Sequence, residues 1–255
     1  MQAKEIFKLI EKDFLKKLAC KWDPTGYQYG KPTTQINKIL VALDLTTTVI
    51  KKAIAENVNL IITHHPFVFN KLKQEKQDVI KKTIFQLLDQ HQIVVYATHT
   101  NYDSQLSTGM NSLILQNLGC QNITNLTHDN VAKQGRLPVP LSYQDIITKL
   151  KNIFQIPVVQ HIINDLTTKI STIAICTGAG GSIIHGLTDK IDLFITGEVK
   201  WNEWLKFDEQ QIPVACFNHY MEDYYTNHFS QYLKGILPKT IDIIPFHIKN
   251  IINYY

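Results

Sequence analysis

The chain reads as an α/β protein with mixed, largely parallel sheets flanked by helices, and three observations predict this. Short apolar runs alternate with amphipathic stretches of helical period through residue 118. Several of these runs stop at imidazole or carboxylate side chains, as strands do where open α/β sheets collect ligands outside their carboxyl ends. Composition then changes: residues 120–142 are rich in Asn, Thr, Gly and Pro, and a second alternation follows.

Ile6, Phe7, Ile10, Phe14 and Leu18 recur among Lys and Glu at helical spacing, so the chain opens with a helix. Trp22 to Gly30 carries two glycines and reads as a turn-rich loop. Ile39 to Leu43 is a buried strand ending at Asp44, and Thr46 to Asn57 a helix capped by Thr47 or Thr48. Leu60 to Thr63 is the next strand, Asp78 to His91 an amphipathic helix, Ile93 to Ala97 a third strand and Met110 to Leu118 a third helix. Past the compositional change, Tyr143 to Phe154 is helical and Lys169 to Cys176 alternates like a strand. Thr177-Gly178-Ala179-Gly180-Gly181-Ser182 opens a further helix. Ile191 to Thr196 and Ile212 to Phe217 are strands, a helix begins near His219, and Ile241 to Pro245 is a late strand. Two lobes are expected: residues 1–125 with 190–255, carrying the candidate metal site, and a smaller α/β lobe of residues 126–189.

At 255 residues the chain can bury a substantial core. No apolar run reaches the roughly 18–20 residues of a membrane span, and the charged opening helix is unlike a signal peptide. A soluble cytoplasmic protein without a membrane partner is expected. The formal charge is only +4, with Arg136 the sole arginine, which limits bidentate contacts to phosphates and guanine edges. The lysines at 71–73, 81–82 and 149–151 read as solvated helix faces, so Lys81→Ala is expected to change nothing. Cys20, Cys120, Cys176 and Cys216 form no CxxC pair, which argues against a zinc knot or a disulfide framework.

The chemistry lies at the strand ends. Adjacent side chains on extended backbone diverge, so His64 and His65 can address two neighbouring ions, and Pro66 holds His65 extended. Asp103 closes a short turn that begins at His99, and a carboxylate beside imidazoles suits Zn, Mn or Fe. His99 itself is read as an outer residue that orients Asp103 or a bound water. His219 is followed by Glu222 and Asp223, either of which shares its helical face; the longer Glu222 is preferred. The ligand set is therefore His64, His65, Asp103, His219 and Glu222, holding two divalent metal ions. The glycine run at 178–181 matches neither GxxxxGK[ST] nor GxGxxG, and a tight strand-to-helix turn accounts for it better than a phosphate cradle. Glu198, at a strand end, is placed to line the same cavity.

TGYQYG, ITHHPF, ATHTNYD followed by TGMN, GAGGS, FITGE and NHYMED occur here in the order in which they recur in the NIF-three-like proteins, also called the type 2 GTP cyclohydrolase I family. The chain resembles that family over nearly its whole length. The resemblance implies a two-lobed α/β fold, a dinuclear metal site on His64, His65, Asp103, His219 and a carboxylate just beyond it, either Glu222 or Asp223, and a homohexameric ring with the sites facing an interior cavity. The chain departs from the family after TGE, where Lys200-Trp201-Asn202-Glu203-Trp204 replaces a Lys followed by histidines. Two functional readings follow. In the first, the protein is a metal-dependent hydrolase that opens the ring of a nucleotide such as GTP or a related small molecule, with His99 shuttling a proton. In the second it is a non-catalytic metal-binding or scaffold protein that contacts nucleic acid through the ring.

Overall fold

The structure is a computed structural model and describes residues 1–187 and 190–253. The chain divides into two compact units, Met1–Tyr102 with Tyr225–Lys249, and Asp103–Tyr224 with Asn250–Tyr255. The change in composition near residue 125 and this division report different properties. The first marks turn-rich sequence, while the second follows which strands pair.

In the first unit, α1 (Ala3–Asp13) is followed by β1 (Gly26–Tyr29), β2 (Lys38–Ala42), α2 (Thr47–Ala55), β3 (Leu60–Thr63), α3 (Leu72–Glu75), α4 (Val79–Gln90) and β4 (Val94–Ala97). The helical turn α5 (Thr100–Asp103) leads into the second unit. There α6 (Met110–Asn117), β5 (Gln121–Asn125), β6 (Lys133–Ser142), α7 (Tyr143–Phe154), β7 (Gln160–His161), β8 (Lys169–Cys176), β9 (Leu193–Thr196), α8 (Trp201–Glu209) and β10 (Val214–Cys216) follow. The first unit closes with α9 (Tyr224–Ile236) and β11 (Asp242–Pro245).

The first unit's sheet has the order β1-β4-β3-β2-β11, parallel except for β1. Its strands β3 and β4 are buried along their whole length, which is why they read as unbroken apolar runs rather than alternations. Leu40, Ile50, Ile61, Phe85 and Val95 lie in its core. The second unit's sheet has the order β5-β6-β8-β9-β10-β7, with β8, β9 and β10 parallel and the remaining pairs antiparallel. Ala174, Phe194, Phe207 and Val214 pack within it. The α/β class with mixed sheets thus stands.

Several local expectations change. Gly26–Tyr29, read as loop, pairs antiparallel with β4. The first helix ends at Asp13, and Leu18 lies in a separate 3₁₀ turn. Thr46, not Thr47 or Thr48, caps α2 by accepting from the Val49 amide at 3.3 Å. The Asn/Pro-rich stretch contains two strands, and β6 pairs along β8 with its register broken between Arg136 and Leu141. Pro138 and Pro140 fall in that break, where a missing amide N–H removes no ladder bond. Finally, Gly180–His185 is a 3₁₀ turn rather than the start of an α-helix.

Lys81 is not a bystander. Its Nζ donates to the Phe67 carbonyl at 2.8 Å and pairs with the buried Glu75 carboxylate. The expectation that Lys81→Ala changes nothing is withdrawn, because a lysine in sequence carries no sign of the buried acid six residues before it.

Candidate metal centre

In the first unit, parallel register sets Thr63 beside Ala97 and Ala42 beside Thr63. The residues that follow β2, β3 and β4 therefore emerge at one edge of the sheet: Asp44, then His64 and His65, then His99. His64 is fully buried and its Nδ1 lies 2.9 Å from the Thr98 carbonyl. A carbonyl only accepts, so Nδ1 carries the proton and Nε2 is the atom able to bind metal. The Nδ1 atom of His65 lies 2.8 Å from Asp44 Oδ1, and that of His99 lies 3.1 Å from Asp23 Oδ1. The Asp44 carboxylate imposes the same tautomer on His65, and the charge of Asp23 favours it in His99. One ligand atom from each of His64, His65 and His99 lies within 4.8 Å of the others. The His64 ring is 5.0 Å from Tyr225, whose hydroxyl is 2.5 Å from Thr98 Oγ1.

Burial pushes the Asp23 carboxyl toward a higher pKa, but bonds from His99, Thr100 and the Thr100 amide outweigh it and hold the group below its usual value. Asp23 is thus an ionised, fixed orienter of His99. Nothing in the sequence marked Asp23, which sits in a loop. Asp44 was visible only as the end of a strand.

In the second unit, β9 and β10 run parallel with Cys216 beside Thr196, which brings Glu198 and His219 to a common edge. The His219 Nδ1 atom lies 2.7 Å from Glu198 Oε1, and its Nε2 lies 2.9 Å from Glu222 Oε2. His219–Asp223 is a 3₁₀ turn, in which residues three apart eclipse. That geometry sets Glu222 against His219, while Asp223 accepts from the Tyr220 hydroxyl at 3.3 Å. Glu198 acts as backing for His219, where the sequence suggested only a wall of the cavity. Asp103 is buried in this unit, as is Lys133. The Lys133 ammonium donates to the carbonyls of Ser104 and Asn130. Burial lowers its pKa to about 8 against the opposing pull of Asp103, Cys176 and Asp129. A cavity of about 490 Å³ opens beside His219, walled by Val158, Ala179, Val199, Lys200 and Asn218.

The residues fit a divalent ion. Imidazoles whose Nδ1 atoms face oxygen acceptors, together with buried carboxylates, form the donor set and outer support of transition-metal sites. The fold and these groups define an α/β protein able to hold metal at the carboxyl ends of its strands. The chain belongs to the Duf34/NIF3 (NGG1p interacting factor 3) family, whose sequence profile matches residues 1–251. It is 35% identical over 197 residues to a GTP cyclohydrolase 1 type 2 homolog of Lactococcus lactis subsp. lactis, covering 75% of this chain and 76% of the relative. It is 28% identical to NGG1-interacting factor 3 of Saccharomyces cerevisiae, covering 86% and 85%. The crystal structure of Staphylococcus aureus protein SA1388 shares the fold with a TM-score of 0.84 at 22% identity, covering 100% of this chain and 99% of that one. Among the described residues, no helix is long and apolar enough to cross a membrane.

Proposed function

We propose that this protein is a divalent-metal-dependent hydrolase of the type 2 GTP cyclohydrolase I kind, acting on a nucleotide or a related small molecule. His64, His65, Asp103, His219 and Glu222 are its ligands for two ions of Zn, Fe or Mn. The observation that carries the reading is the common orientation of the imidazoles. In His64, His65 and His99, Nδ1 faces an oxygen acceptor, and each ring therefore presents Nε2 for ligation or proton transfer; His219 has a carboxylate at each ring nitrogen, Glu198 at Nδ1 and Glu222 at Nε2. The names of the relatives supply the reaction class. When bound, such ions supply a water that ionises near neutral pH and an electrophile for the substrate. Asp23 holds His99 through Nδ1, so Nε2 is the atom that takes up a proton from the attacking water and returns it to the leaving nitrogen. The cavity beside His219 gives a small molecule largely apolar walls, with Lys200 beside Glu198 and Glu203 among its lining residues. The family resemblance further supports a homohexameric ring in the cytoplasm.

Elemental mass spectrometry on protein purified without a metal-affinity tag tests the reading, followed by a metal-matched hydrolysis screen that includes GTP. About two equivalents of a transition metal per chain and turnover of a ring-containing substrate are expected. Absence of metal after reconstitution with Zn, Mn and Fe(II) would sink the assignment. Metal without turnover would leave a metal-binding scaffold.

A further inference from the structure

The glycine run after β8 was assigned only a turn by its sequence. Its surroundings give it a task. Gly178 has φ +66°, and a Cβ built there would lie 2.4 Å from Glu222 Oε1 and 2.9 Å from its Cδ. Both are closer than carbon approaches either atom without displacing it. The backbone at this point is fixed. The Gly178 carbonyl accepts from the amides of Gly197 and Glu198, each at 2.9 Å, and from Thr196 Oγ1 at 3.2 Å. The preceding Thr177 amide donates to the buried Asn111 side chain at 3.0 Å. The glycine therefore cannot retreat to admit a side chain. Gly181 repeats the device, since a Cβ there would lie 2.4 Å from Glu203 Oε2.

We propose that Gly178 is the positioning residue for the Glu222 carboxylate: the glycine run is a backbone seat that holds this ligand against His219, rather than a cradle for phosphate. Glu222 Oε1 occupies the space that a Gly178 side chain would need, and Oε2 lies 2.9 Å from His219 Nε2. The Glu198 amide bound to the Gly178 carbonyl belongs to the residue whose side chain backs His219. One stretch of backbone thus orients both groups that face this imidazole. The proposal rests on the reading of His219 and Glu222 as metal ligands.

The test compares metal affinity by chelator competition, with folding followed separately by circular dichroism, for metal-reconstituted Gly178→Ala, Gly178→Asn, Gly119→Ala and Glu222→Ala. Gly119 has φ +89° and nothing within 4 Å of a built Cβ, so Gly119→Ala reports backbone strain alone. Asparagine tolerates a left-handed backbone yet still brings a Cβ, so Gly178→Asn covers the case in which the alanine variant does not fold. Both Gly178 variants are expected to lose about 10- to 100-fold in metal affinity, while Gly119→Ala keeps wild-type affinity. In a Glu222→Ala background, Gly178→Asn is expected to add no further loss, because the group it displaces is gone. Wild-type affinity in Gly178→Asn, or an equal loss in Gly119→Ala, overturns the proposal. So does a full additional loss in the Glu222→Ala background. Wild-type protein that binds no metal would instead remove the ligand reading on which the seat depends.

Discussion

The two units deliver their donors by different means. The first places three imidazoles at the ends of adjacent parallel strands, and each is backed by an oxygen from a neighbouring strand end or loop. The second adds to Asp103 a single 3₁₀ turn, where His219 and Glu222 meet because residues three apart eclipse, and a glycine backbone decides where the Glu222 carboxylate rests. Sheet register is a collective property held by many ladder bonds, so the first arrangement resists local change. The second depends on a few atoms and is correspondingly easy to perturb. Their backing also differs in exposure. Asp44 is 40% exposed, whereas Glu198, behind His219, is 57% exposed and more strongly screened by water.

Removing ligands breaks the comparison outright. His64→Ala and Asp103→Ala are expected to lose at least one metal equivalent each while staying folded, measured by elemental analysis beside circular dichroism. Full retention by both would refute the ligand set. Removing backing sharpens the comparison. Asp44→Asn should cost about 10- to 100-fold in metal affinity, and Glu198→Gln should fall at or below the low end of that range because solvent already weakens its pair. The reverse order would mean that exposure does not govern the backing.

Away from the donors, Lys81→Ala should lower stability by about 1–3 kcal/mol by leaving the Glu75 carboxylate poorly compensated, read from urea unfolding. Burial pushes the Glu75 pKa up, but Lys81 together with the Asn70 amide and side chain holds it below its usual value. A lowered carboxylate pKa stabilises the fold above the unfolded value of about 4.5, and that contribution fades as pH falls through the folded value. Lys81→Ala should therefore weaken this acid dependence along with the stability, leaving the share that the Asn70 bonds supply.

The narrowest expected effect, confined to alkaline pH, lies at Lys133 in the second unit. A lysine pKa lowered from 10.5 to about 8 means that the folded chain binds fewer protons than the unfolded chain in that window. The metal-free protein should accordingly gain stability on this account as pH rises from about 8 toward 10.5. In Lys133→Met the gain should vanish, as followed by thermal unfolding across that range. An unchanged pH slope would show that Lys133 is not the group responsible.

Much of the fold was legible because burial on both faces leaves a plain mark. Leu60–Thr63 and Val94–Ala97 are continuous apolar runs, and the polar residues after them had to sit at strand ends. His64, His65, His99 and His219 followed from that alone. Gly26–Tyr29 and Lys133–Ser142 were not legible, since edge pairing and a Pro-interrupted register leave no such pattern. Asp23 was equally silent, because a loop carboxylate gains its role only from the imidazole brought to it.

What the sequence by itself determined is the class of fold, the succession of its buried strands along the chain, and the set of imidazoles and carboxylates at their ends. These follow from hydrophobic period and residue chemistry, which are properties of short stretches of chain. Only the tertiary structure decided which ring nitrogen each histidine presents, that Glu222 rather than Asp223 meets His219, and that Gly178 must lack a side chain. Each of these depends on atoms that lie 2.7–3.2 Å apart in space or on the room beside a glycine, and all but the meeting of His219 with Glu222 join residues far apart in sequence. No local pattern encodes a distance across the sheet.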